Sequence, residues 1–199
     1  MNIQKLPLGM YQANCYVVSE GAEAFLVDPG DRADQVLDYL ALKGLKLKFI
    51  LLTHGHVDHV NGVDGIVKAD PVPVYMHPKD KQAIAEHTPV FGTMTTETIP
   101  VADGSLIPFA GHEIRAIETP GHSKGGVCYY VDGSLFAGDT LFRHSIGRTD
   151  MFGGDYDELI QSIRTKLYKL PDETVVYSGH EDDTEIGHEK KYNSFIKGI

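Results

Sequence analysis

The sequence predicts an α/β chain arranged as a four-layer αββα sandwich, two antiparallel-rich sheets with helices on their outer faces. Three observations carry this. Apolar runs of strand length alternate with stretches of helical period along the 199 residues. Each half of the chain opens with strands and ends in a strand–helix portion. Several strand-like runs stop at glycine or aspartate turn chemistry, where a rigid sheet presents loops able to carry function.

In the first half, NCYVVSE and EAFLVD flank a Glu-Gly-Ala turn and read as a hairpin. Val36, Leu37, Leu40 and Leu45 give DPGDRADQVLDYLALKG helical spacing, with Gly44 as its stop. LKFILLT is an apolar strand. A short helix from about Val60 to Val67, a VPVYM strand and a PKDKQAIAEH helix opening on Pro78 follow. Residues 88–104, rich in Thr, Pro and Gly, read as a long loop beside a site.

In the second half, SLIPFA, HEIRAIET, GVCYYV and SLFAG are strands. DYDELIQSIRTKLYKL is the clearest helix: Leu159, Ile160, Ile163 and Leu167 form its stripe, and Pro171 follows its end. TVVYSG is the last strand and TEIGHEKKYNSFI a C-terminal helix. Nothing in composition marks a linker or repeat, so one domain over residues 1–199 is expected.

Composition narrows the function. A chain of 199 residues buries enough apolar surface to fold without a metal or disulfide staple. A net charge of −10 argues against a broad nucleic-acid surface. Cys15 and Cys128 each fall in a strand run and read as buried thiols, a usage that suits a reducing cytoplasm. MNIQKLPLGM lacks the apolar stretch of a signal peptide, and no run approaches the roughly 20 apolar residues of a membrane span. The expectation is a cytoplasmic protein acting on a small molecule, with no nucleic-acid or membrane partner, as a monomer or small homo-oligomer.

LLTHGHVDHVNG concentrates chemistry. His54, His56, Asp58 and His59 arrive within six residues at the end of an apolar strand. Neither a strand nor a helix alone aims all four at one point. A loop leaving a strand can divide them between two neighbouring ions, and Gly55 eases its path. Three later strand ends supply further donors: His122 in TPGHSKGG, Asp139 in LFAGDTLF and His180 in VVYSGHEDD. Five histidines, two aspartates and no cysteine are too many N/O donors for one ion and unlike a closed structural zinc site. They suit two ions sharing a carboxylate, with positions open to water and substrate. Asp28 in LVDPGD is a candidate to orient a ligand, against the alternative of a simple turn aspartate. His77, His87, His112, His144 and His188 read as bystanders, with His77 the one best placed to line a pocket.

THGHVDH, PGH, GDT and GH in this order and spacing resemble the metallo-β-lactamase superfamily, whose fold is the αββα sandwich. The resemblance implies that His54, His56 and His122 hold one metal, that Asp58, His59 and His180 hold the other, and that Asp139 bridges them. Asp58 and Asp139 are thereby the carboxylates nearest the chemistry. Within the superfamily, VDPG, TPGHSKGGVCYYV, GDTLF, LPDETVVYSGHE and IGHEKKYNSF are similar to glyoxalase II, the hydroxyacylglutathione hydrolases. That group hydrolyses the thioester S-lactoylglutathione by attack of a metal-bridging hydroxide. Two divalent ions are implied, zinc foremost, with iron or manganese able to use the same donors. Full-length glyoxalase II carries a further helical segment that binds glutathione. This chain stops at Ile199 and resembles the short bacterial forms, so no such extension is expected. Arg148 stands where the group has a glutathione-contacting lysine, which makes it the first candidate for a substrate cation and Arg143 the second. The GRTD stretch also resembles persulfide dioxygenases, which use a single iron, and that activity is the alternative. A metal-binding module without turnover is a third and weaker reading.

Overall fold

Residues 1–196 are described by the computed structural model, and they divide into two compact units, Met1–Pro100 and the chain from Val101 onward. The first unit is built on one six-stranded sheet. Its strands are β1 (Asn2–Leu8), β2 (Ala13–Glu20), β3 (Glu23–Val27), β4 (Lys46–Leu51), β5 (Val74–Met76) and β6 (Ile99–Pro100), adjacent in chain order. β1, β2 and β3 pair antiparallel, as a hairpin sequence should. From β3 to β6 the pairing is parallel. Helices α1 (Ala33–Lys43), α2 (Val57–Val60), α3 (Val63–Ala69) and α4 (Pro78–Ala85) fill the crossovers that parallel pairing requires.

This sheet is therefore mixed rather than antiparallel-rich. Strand composition shows where strands lie; the crossover helices set their direction. β1 is an element the sequence reading did not include. Its burial alternates weakly, and Pro7 is tolerated because β1 lies at the sheet edge. Cys15, Val17, Leu26, Ile50 and Leu52 from the sheet and Val36, Leu40, Val60, Val63 and Ile66 from the helices form the core. Gly44 ends α1 with φ 63°, in the left-handed conformation glycine adopts most readily.

The second unit contains β7 (Leu106–Phe109), β8 (His112–Glu118), β9 (Val127–Val131), β10 (Ser134–Gly138), a small hairpin of β11 (Leu141–Phe142) and β12 (Ser145–Ile146), then β13 (Val175–Ser178) and β14 (Thr184–Glu185). Its main sheet runs β14-β13-β10-β9-β8-β7, antiparallel except for the β10–β13 pair. α5 (Tyr156–Thr165) makes that one parallel crossover. It is capped by Asp155, whose carboxylate accepts from the Glu158 N–H at 3.0 Å. Leu159, Ile160 and Ile163 pack with Ile117, Leu135, Ala137 and Val176. The predicted C-terminal helix begins two residues late, because Thr184 and Glu185 form β14 before α6 (Ile186–Tyr192). β11 and β12 depart as well, being two-residue strands too short to show a period, and the predicted helix DYDELIQSIRTKLYKL ends as an α-helix at Thr165, with Leu167 in a 3-10 turn over Leu167–Lys169.

Cys15 and Cys128 are both buried, free thiols. Among the described residues no helix is long and apolar enough to cross a membrane.

Candidate metal centre

In the first unit the donors follow β4 directly. His54 and Gly55 leave the strand, His56 sits at the N-cap of α2, and Asp58 and His59 lie on the helix itself. The motif thus divides between loop and helix. His54 and His56 ring centroids are 4.7 Å apart, and His54 and His59 are 4.1 Å apart. His59 Nε2 lies 3.7 Å from Asp58 Oδ2.

A buried carboxylate organises the group. Asp28 Oδ1 accepts from the Thr53 N–H at 2.7 Å, and Oδ2 accepts from Thr53 Oγ1 at 2.6 Å. The same Oδ2 lies 3.0 Å from His59 Nδ1. A carboxylate only accepts, so His59 carries its proton on Nδ1 and presents the Nε2 lone pair. The single proton of the Thr53 hydroxyl is engaged in its hydrogen bond to Asp28. His54 Nδ1, 3.0 Å from that oxygen, must therefore be the donor, and His54 also presents Nε2. Ligand-capable atoms of Asp28, His54 and His59 lie within 4.8 Å of one another.

Two further contacts fix the loop. Asp80, buried on α4, accepts from the Gly55 N–H at 2.9 Å. Residues 90–92 run against the motif: Val57 N–H donates to the Val90 carbonyl at 3.0 Å and Gly92 N–H to the Gly55 carbonyl at 3.0 Å. Phe91 then stacks edge-on against His56 at 4.9 Å. Val90 adopts φ 71°, a strained conformation for a β-branched residue. His77 caps α4 by accepting from the Lys79 N–H at 3.2 Å.

In the second unit three strand ends converge. The β10–β13 register pairs Gly138 with Ser178, which sets Asp139 and His180 side by side. Asp139 Oδ2 lies 3.6 Å from His180 Nε2 and 3.5 Å from His122 Nε2. His122 Nδ1 is 2.7 Å from the Arg148 carbonyl oxygen, so it too holds its proton on Nδ1 and presents Nε2. The loop carrying His122 rests on α5. The Asp155 N–H donates to the Gly121 carbonyl at 2.8 Å, and Ser162 Oγ donates to the Pro120 carbonyl at 2.8 Å. Gly147 is obligatory, since a Cβ there would stand 1.7 Å from the Asp139 carbonyl oxygen.

These spacings have a chemical meaning. Separations of 3.5–3.7 Å are long for hydrogen bonds. The two Asp139 separations match, and the Asp58–His59 one slightly exceeds, the edge of a coordination tetrahedron with metal–ligand bonds of about 2.0–2.2 Å, roughly 3.3–3.6 Å. In each unit, imidazoles held with Nε2 outward stand beside a carboxylate with no thiolate, a donor chemistry that suits a divalent ion of borderline hardness.

The candidate substrate cations sit differently. Arg148 is exposed and makes a bidentate pair with Asp150, at 2.9 Å for both bonds. Arg143 is exposed beside a hollow also lined by Asp183, Glu185 and His188. The sequence reading missed Asp80, Thr53 and the Arg148 carbonyl as positioning groups. Asp80 in HPKD had a visible signal in its acidic side chain; a backbone carbonyl has none.

The sequence profile of the metallo-β-lactamase superfamily matches residues 8–180. The chain belongs to that superfamily. It also has the superfamily's fold: it aligns with the crystal structure of the BLEG-1 B3 metallo-β-lactamase at TM-score 0.89 and 35% identity, covering 99% of this chain and 100% of that one. TTHA1623, solved in a di-iron-bound form, aligns at TM-score 0.85 and 35% identity over 96% and 99% of the two chains. Among sequence relatives, the hydroxyacylglutathione hydrolase GloC of Haemophilus influenzae is 34% identical over 208 residues, 98% of each protein.

Proposed function

We propose that the two donor groups serve one binuclear centre within a single functional domain, and that the protein hydrolyses a thioester such as S-lactoylglutathione or a related acyl-thiol. His54, His56 and His122 take one ion, Asp58, His59 and His180 the other, and Asp139 bridges. The observation that carries the reading is the position of Asp139 Oδ2, at coordination-edge distance from two imidazole nitrogens, 3.5 Å and 3.6 Å away. The di-iron form of TTHA1623 and the hydrolase named in Haemophilus support it. Zinc is the proposed ion; iron and manganese accept the same donors.

Two divalent ions bound there supply a hydroxide at neutral pH and a Lewis acid for the substrate carbonyl oxygen. The chain's own part is positioning. Asp28, Thr53 and the Arg148 carbonyl hold three imidazoles with Nε2 outward. Asp58 and Asp139 bring negative charge that offsets half of the charge on two dications. A thiol near the ordinary pKa of about 8.5 leaves as thiolate without a proton donor, so the site requires no additional acid. Arg148 and Arg143 are proposed as cations for an anionic thiol carrier, Arg148 by exchanging Asp150 for a substrate carboxylate.

Metal analysis and three assays on one sample test this: hydrolysis of S-lactoylglutathione, oxygen consumption with glutathione persulfide, and hydrolysis of a β-lactam. Two ions per chain and thioester hydrolysis are expected. Asp139→Ala is expected to lose both. One iron per chain with oxygen consumption would replace the reading with the persulfide dioxygenase, and turnover confined to the β-lactam would replace the substrate class.

A further inference from the structure

The histidines that the sequence reading set aside include a pair that meets in space. His144 lies at the tip of the β11–β12 hairpin and His188 on the first turns of α6, and their Nε2 atoms are 2.5 Å apart. The ring planes differ by only 16°, with centroids 4.8 Å apart. Face-on stacking would keep the planes roughly 3.5 Å apart. The rings therefore point nitrogen to nitrogen, an arrangement that a proton on one Nε2 or a metal ion shared by both would hold.

The support beneath this pair is built. Glu189 is fully buried, and its Oε2 accepts from the His144 N–H at 2.9 Å and from Asn193 Nδ2 at 2.9 Å. Its Oε1 accepts from Thr184 Oγ1 at 2.6 Å. Asn193 Nδ2 also donates to the Ser145 carbonyl at 3.0 Å, which ties the hairpin to the end of α6. Ligand-capable atoms of His144, His188 and Glu189 lie within 4.8 Å of one another. The buried carboxylate thus contributes negative charge beside the two imidazoles. His144 is exposed and His188 half-exposed, so water can complete a coordination shell.

We propose that His144 and His188, backed by the Glu189 carboxylate, form an additional site for a borderline divalent cation such as Zn²⁺, separate from the seven donors above. Two imidazole nitrogens on one tetrahedral ion stand about 3.3 Å apart, so the rings must part by roughly 0.8 Å. The exposed His144 side chain can make that movement by rotation while its backbone stays bonded to Glu189. The carboxylates of Asp183 and Glu185, which line a hollow with His188, offset the charge of Arg143 in the same hollow.

The test uses metal-loaded protein dialysed against graded Zn²⁺, with bound zinc measured by elemental analysis. His144→Asn suits the left-handed backbone at φ 60°, and His188→Gln keeps a polar side chain on α6. The unaltered chain is expected to bind one zinc ion more than either variant, and the variants to bind that ion at least tenfold more weakly. The main centre is common to all three proteins and cancels. Equal zinc content at every concentration would overturn the proposal and leave a shared proton between the imidazoles as the whole explanation of their contact.

Discussion

A histidine presents a defined nitrogen to a metal when a partner holds its proton on the other. Asp28 does this for His59, and its hold on the Thr53 hydroxyl does it at one remove for His54. Asp28→Asn keeps the shape but replaces an all-acceptor group by one that also donates. Metal affinity is expected to fall about 10–100-fold, the usual cost of losing such a partner. Competition against a chelator reads this directly, and unchanged affinity would remove Asp28 from the positioning role. The seven proposed donors and Asp28 could be singled out in the sequence because each is a ligand-type side chain at the end of a strand-like run or just beyond it. The Arg148 carbonyl could not, since every residue has one. Its side chain supports a separate prediction. Arg148→Ala is expected to raise KM several-fold for an anionic thioester and little for a neutral one. Equal effects on the two substrates would leave Arg148 as the carbonyl that orients His122 and nothing more.

At the scale of elements, the His-rich stretch is held from both sides. Gly30 lets α2 approach so closely that a Cβ there would stand 1.6 Å from the Asp58 carbonyl oxygen. The 90–92 segment covers the other side, and Asp64 anchors the chain just beyond it. Its carboxylate accepts from Thr95 N–H and Oγ1 at 2.8 and 2.7 Å and from Thr96 N–H and Oγ1 at 2.8 and 2.6 Å. Burial alone raises the Asp64 pKa, but the hydrogen bonds from Thr96 and Thr95 outweigh it and bring it down to about 2. The folded pKa lies below the unfolded value near 3.9, so the clamp stabilises fully above about pH 4 and is lost as pH falls toward 2. Asp64→Asn is therefore expected to be less stable at pH 5, with the gap narrowing toward pH 2.5 in denaturant titrations. Parallel stability curves would show that the anchor does not depend on the charge. Residues 88–104 read as a long loop in the sequence because the ladder to the motif is made by backbone atoms, and β6 within the segment has only two residues.

Across the whole molecule, composition and period located most strands and helices but not strand direction or the two-residue strands. β5 and β6 have only three and two residues, too few for an alternating pattern to show, so crossover length rather than pattern decides how they run. The proposed donors, by contrast, follow β4, β8, β10 and β13, two units' worth of strands. If one pair of ions serves them all, removing metal must loosen both units together. Each ion held at a hundredfold excess over its dissociation constant stabilises the native state by about 2.7 kcal/mol. Chelation is expected to lower the Tm and to speed amide exchange at His54–Val60 in the first unit and at Gly121–Ser123, Asp139–Leu141 and Gly179–His180 in the second. Restoring zinc should reverse all four. Exchange that changes in only one unit would mean that the ions bind within that unit alone, and the bridging role of Asp139 would go with it.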